Sequence, residues 1–153
     1  MVNASTEPDL SKEGEYWNPL VPELTVTRLE DSLRFYEAAG FTVRFRREDP
    51  PFAYIELGHV QLMLEQESQD RWDVGVLDRP LGRGVNFQIE VDDVERTCSS
   101  VQRAGYKLFA ELEENWYLTE PGVQEGQREF LVQDPDGYLM RFAQYLGSRD
   151  QAD

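Results

Sequence analysis

The sequence is poor in the residues that most metal and nucleophile chemistry uses: of 153 residues, one is cysteine and one is histidine. Cys98 has no second cysteine to pair with, so no internal disulfide can form. Its position on an apolar helix face reads as buried core. No apolar run approaches the roughly 18–20 residues of a membrane span. The opening "MVNASTEPDLSKEGEYW" has neither the basic start nor the apolar stretch of a signal peptide, so a cytoplasmic location is expected. Positive charge is scarce as well. Against 30 acidic residues stand 15 basic ones, a formal net charge of -15. Such a chain repels polyphosphate and anionic lipid, which argues against nucleic acid and membrane partners. Two readings of the excess remain: a well-solvated surface, or a field that attracts cationic ligands.

What is present is a globular composition, with 40% hydrophobic and 12% aromatic residues. Residues 1–18 are polar and aperiodic and read as an arm, with Trp17 placed to pin its end. From residue 19 the pattern changes. "ELTVT" alternates as a strand. "LEDSLRFYEAAG" then sets Leu29, Leu33 and Tyr36 at helical spacing, closed by Gly40. "FTVRFRRE" alternates again, and "FAYIELGHVQLMLEQ" reads as two strands joined at Gly58-His59. Residues 67–83 hold turn formers without a period and read as a linker, with at most one helical turn.

The second half repeats the first at a constant offset of 65. Val26, Leu29, Glu30, Ala39, Gly40 and Phe41 fall on Val91, Val94, Glu95, Ala104, Gly105 and Tyr106. After the second helix come a strand "YKLFAEL", a long polar-aromatic loop "EENWYLTEPGVQEGQ", and a closing hairpin through "DPDG". The expected organisation is an arm (1–18), a first β-α-β-β-β module (19–66), a linker (67–83), a second module (84–147) and a tail (148–153). This is an α+β fold whose two tandem modules form a curved mixed sheet with a concave cup. A single such module leaves one apolar face open, which is a physical reason for duplication.

Strand parity selects the cup-facing residues. With Leu24 and Val26 inward, Val21, Glu23 and Thr25 face the other way. The same rule exposes Gln61, Met63 and Glu65, then Asn86, Gln88 and Glu90, then Arg141 and Ala143. One turn histidine, His59, supports no Ser-His-Asp arrangement, and no catalytic residue is assigned.

The doubled unit, with "LTVTRLEDSLRFYEAAGF", "VQLMLEQ" and "QDPDGYLMRFAQ", resembles the vicinal oxygen chelate superfamily, the glyoxalase/bleomycin resistance/dioxygenase group. Metal-dependent members of that group hold a divalent ion on His, Gln and Glu. At the corresponding positions this chain has Val21, Asn86 and Arg141, leaving only Glu65 as a ligand. No metal and no cofactor are therefore expected. The resemblance is closest to bleomycin resistance proteins, which implies a small acidic homodimer that sequesters a cationic, aromatic antibiotic without altering it.

The candidate ligand-binding residues are Trp116, Phe52, Tyr54 and Tyr117 as flat surfaces, with Glu23, Glu65, Asn86, Gln88, Glu90 and Arg141 as polar partners. Trp116 leads because it sits in the polar loop, flanked by Glu113, Glu114 and Glu120. Two other readings stay open. One is a superfamily enzyme, a lyase or dioxygenase, with an atypical divalent-metal site on Glu65, Glu23 or Glu90. The other is a structural or regulatory dimer with a vestigial cup.

Overall fold

Each half of the chain forms a strand, a helix and a three-stranded meander. The computed structural model describes residues 16–151. The first half runs β1 (Glu23–Val26), α1 (Leu29–Ala38), β2 (Thr42–Glu48), β3 (Pro51–Leu57) and β4 (Val60–Gln66). The second runs β5 (Asn86–Glu90), α2 (Val94–Arg103), β6 (Leu108–Glu120), β7 (Val123–Gln133) and β8 (Leu139–Asp150). In space the strands are ordered β1-β4-β3-β2 and β5-β8-β7-β6, with β1 parallel to β4 and β5 parallel to β8. The α+β class and the doubled β-α-β-β-β order stand as expected. The single curved sheet resolves into two four-stranded mixed sheets, with no ladder between them among the described residues.

The 65-residue offset holds to the residue at both ends of the helices: 94 − 29 and 103 − 38. Both helices stop at a glycine with positive φ, Gly40 at 103° and Gly105 at 94°. A side chain there would be strained, and the turn lets Phe41 N and Tyr106 N bond back to the carbonyls of Tyr36 and Val101. Helix starts are matched too. Gln66 Oε1 accepts from Leu29 N at 3.0 Å, and Gln144 Oε1 accepts from Val94 N at 3.1 Å. In each module a glutamine on the neighbouring strand thus satisfies a first-turn N–H. The offset between those glutamines is 144 − 66, or 78, so 13 residues have been added between α2 and β8.

Those residues lengthen the β6–β7 hairpin. Residues 113–120 and 123–127, expected as loop, are strand, and the turn is confined to Pro121-Gly122. β8 likewise continues to Asp150, inside the segment read as a tail. The linker contains no helical turn. The arm lies outside the described residues as far as position 15; from Tyr16 onward it packs on the first sheet, as Trp17 suggested.

The helix faces of both modules merge into one core, from Leu24, Val26, Phe35 and Tyr36 to Val101, Phe130 and Phe142. α2 buries a single stripe, Val94, Cys98 and Val101. α1 buries more of its circumference because it is covered twice. Leu29, Leu33 and Tyr36 belong to its expected stripe, while Phe35 meets Tyr106 of the other module edge-on at 4.9 Å. Cys98 is buried, and burial pushes its thiol up, as suits core rather than chemistry. Among the described residues no helix is long and apolar enough to cross a membrane.

The "DPDG" turn fastens the modules together. Asp134 accepts from Asp136 N and Tyr138 N at 3.0 Å each, and from the buried Tyr36 hydroxyl at 2.8 Å. Both oxygens of Asp136 lie 3.1 Å from Thr27 N, and the Thr27 hydroxyl and Arg79 close the same carboxylate. Tyr138 donates to Thr25 O at 3.0 Å.

Burial raises Asp134 from 3.8 to about 6, against the lowering effect of its hydrogen bonds. An acid raised on folding contributes stability that is complete below its unfolded value and lost as pH rises through the folded one. Between pH 4 and 7 this shift of about two units withdraws about 2 kcal/mol. Urea titrations across that range should show a difference of this sign and size between wild type and Asp134→Asn. Parallel curves would refute the assignment.

Candidate functional site

Lateral register assembles the helix-free face of the first sheet. One row runs Thr25, Glu65, Phe52, Arg47, and the next runs Glu23, Met63, Tyr54, Phe45. Glu23, Glu65, Phe52 and Tyr54, four of the expected residues, therefore share one surface. Arg47 lies 4.0 Å above the Phe52 ring, and Phe45 stacks on Tyr54 at 5.3 Å. Phe52 and Tyr54 are consequently buried rather than open.

Residues 68–72 of the linker fold over the β1–β4 side of this face and enclose a cavity of about 490 Å³. Its wall carries four carboxyls, Glu23, Asp49, Glu65 and Asp70, against two guanidiniums, Arg47 and Arg71. Arg71 is tied to Asp73. Burial raises the Glu23 carboxyl first, the charge of Glu65 raises it further, and Arg47 opposes both. Two carboxyls crowded in this way gain from a cation placed between them. Trp72 stands at the cavity with 96% of its surface exposed.

The helix-free face of the second sheet is organised around a residue that was not anticipated. Arg141 pairs with Glu129 at 3.8 Å, not with Glu23, Glu65 or Glu90. Tyr117 donates to the same carboxylate, as does Asn115 at 3.2 Å. Glu129 is 3% exposed, yet its Oε2 has no hydrogen bond, and neither have Gln127 Oε1 and Arg141 Nε. The hydrogen bond to Glu129 raises the Tyr117 phenol. Asn86, Gln88 and Glu90 line a different hollow, about 850 Å³, along the free edge of β5, where Gln61 and His59 also stand. The ten expected residues therefore lie on more than one surface.

Trp116 is on none of these faces. It neighbours Tyr117 in a strand and so points to the opposite side. Its ring covers Gly126, where a Cβ would come within 2.6 Å, and Arg149 caps the ring at 3.9 Å. Its Nε1 donates to Glu114 at 2.7 Å. Trp72, in the linker, meets the condition of a large aromatic in a polar segment that had favoured Trp116. Glu129 was legible by carrying parity one strand further: Phe130 and Val132 are buried, so Glu129 must face Arg141.

Among the described residues no three His, Cys, Asp or Glu side chains are grouped to hold a metal ion. Glu23 and Glu65 alone do not make a metal cage, and Arg47 shares their wall.

Two helix-backed mixed sheets built from one repeated β-α-β-β-β unit, each keeping one face free of helix, define a tandem-module α+β protein. The chain belongs to the Glyoxalase/Bleomycin resistance protein/Dioxygenase superfamily, whose model matches residues 19–142. It resembles TioX from Micromonospora sp. ML1, with 20% identity, TM-score 0.63, and coverage of 83% of this chain and 98% of that one. A bleomycin resistance determinant encoded on the transposon TN5 has 20% identity, TM-score 0.54 and coverage of 84% and 98%. A virulence protein from Salmonella typhimurium has 21% identity, TM-score 0.59 and coverage of 82% and 94%. At these identities the likeness is one of fold. No curated protein matches the chain in sequence.

Proposed function

We propose that this chain is a metal-free binding protein of the bleomycin-resistance type, holding a cationic, aromatic small molecule without modifying it. The observation that carries the reading is the acidic cavity under the linker. Its four carboxyls outnumber its guanidiniums two to one, and the exposed Trp72 ring adjoins them. A cation held near Glu23 and Glu65 relieves their mutual repulsion, while an attached aromatic system stacks on Trp72. The net charge of -15 draws such a ligand in from a distance. Neither Cys98, which is in the core, nor His59, which lies in the β3–β4 turn, lines this cavity.

We propose a homodimer as the functional unit, because β1, β2, β5 and β6 are all sheet edges without a strand partner among the described residues.

Calorimetric titration with bleomycin tests the reading, joined to light scattering of the complex and mass spectrometry of the recovered drug. Saturable binding, a two-chain mass and an unchanged drug are expected. Trp72→Ala should weaken binding by about 2 kcal/mol, in the range of aromatic hot spots, while Trp116→Ala leaves it within twofold. A covalently altered drug, or stoichiometric divalent metal in the purified protein, would replace this reading with an enzymatic one.

A further inference from the structure

The first sheet carries a second recognition feature, separate from the acidic cavity. Gln61, on β4, is 3% exposed. Its amide is held in place by two neighbours: Tyr54 donates to Oε1 at 2.6 Å, and Glu56 accepts from Nε2 at 3.4 Å. The remaining capacity of that amide is spent on backbone. Oε1 accepts from Asn18 N at 2.7 Å, and Nε2 donates to Tyr16 O at 2.8 Å. A carboxamide engaging the C=O of one residue and the N–H of the residue two further on imitates a neighbouring strand.

Two further groups complete the contact. Arg44, whose side chain is 12% exposed and paired with Glu56 at 3.6 Å, also donates to Tyr16 O. Its guanidinium lies 3.9 Å from the Trp17 ring centre. Trp17 also meets Tyr54 edge-on at 5.1 Å, with Phe45 at 6.2 Å. The arm's anchoring thus consists of backbone hydrogen bonds to a buried amide and one aromatic ring in contact with both a cation and a phenol.

We propose that Arg44, Tyr54 and Gln61 form a docking site for an extended peptide bearing an aromatic residue, and that the chain's own Tyr16–Asn18 segment is the ligand occupying it. Such a site recognises a C=O, an N–H two residues on and a ring between them. Sequence enters only through the ring. The same peptide supplied in trans competes with the tethered segment, whose high effective concentration keeps the site closed in the wild type.

The experiment uses full-length protein and a fluorescein-labelled, amide-capped peptide, GEYWNPL. Asn18→Pro removes the N–H that Gln61 accepts and should free the segment. Fluorine NMR of the fluorotryptophan-labelled chain reports Trp17 as docked or free, and circular dichroism confirms the fold. The peptide should bind Asn18→Pro at least tenfold more tightly than wild type by anisotropy. Adding Gln61→Leu should abolish that gain. Trp17 still docked in Asn18→Pro, equal peptide binding in both chains, or a gain insensitive to Gln61→Leu would each overturn the proposal. None of these readouts uses bleomycin, so failure here and failure of the proposed function are separate results.

Discussion

Asp136→Ala should cost about 3 kcal/mol of unfolding free energy, more than any substitution at the protein surface. The carboxylate is 5% exposed and sits in the turn before β8, yet its partners belong to the β1–α1 turn of the other module and to the linker. Removing it leaves Thr27 N without its acceptor, and leaves Arg79 with only Glu67 and the Thr27 hydroxyl. Hydrogen bonds to a charged acceptor contribute roughly 1.5–3 kcal/mol, and Arg79, about half exposed, loses one of its two carboxylate partners. Asp136→Asn retains an acceptor for Thr27 and should lose about 1 kcal/mol. Urea denaturation measures both, with an unchanged slope expected if the modules still unfold together. A loss below about 1 kcal/mol for the alanine variant would show that the modules are joined by their apolar core alone.

That fastening role also explains which parts of the molecule were legible in the sequence. The duplication, the helix boundaries and the face of each short strand follow from apolar periodicity, because every one of those elements packs against the common core. Phe41, Val26 and Ile89 were readable for that reason. The distal β6–β7 hairpin was not. From Glu113 to Gln127 it extends past the helices, so neither face is buried by a second layer, and the stretch "EENWYLTE" shows no alternation. Its order comes instead from ladder bonds and from pairs such as Trp116 on Gly126 and Tyr145 on Glu125, which cross between strands. Trp116 was misplaced as a loop residue on that account. Conversely, the linker looked like a mere connection, and only its path across the first sheet makes Trp72 and Asp70 part of a cavity with Glu23 and Glu65.

Those two glutamates carry the second large effect. Changing both Glu23 and Glu65 to Gln should weaken bleomycin binding about 100-fold, equivalent to about 3 kcal/mol. At an effective dielectric near 20, one unit charge 4 Å from a cation contributes roughly 4 kcal/mol before desolvation is subtracted, so two carboxylates supply such a net sum after that subtraction. Shape is nearly preserved by the substitution, and Asp49, Asp70 and Trp72 remain. The loss should therefore appear in the dissociation rate, whereas added salt should act mainly on association. Stability moves the opposite way. Glu23 is raised by burial and by Glu65, so removing its charge relieves a strain that its ionised carboxylate imposes, and the double variant should melt higher at pH 7. Tighter folding with weaker binding is the signature of carboxylates retained for a ligand. Unchanged affinity in the folded double variant would remove the acidic cavity from the binding reaction.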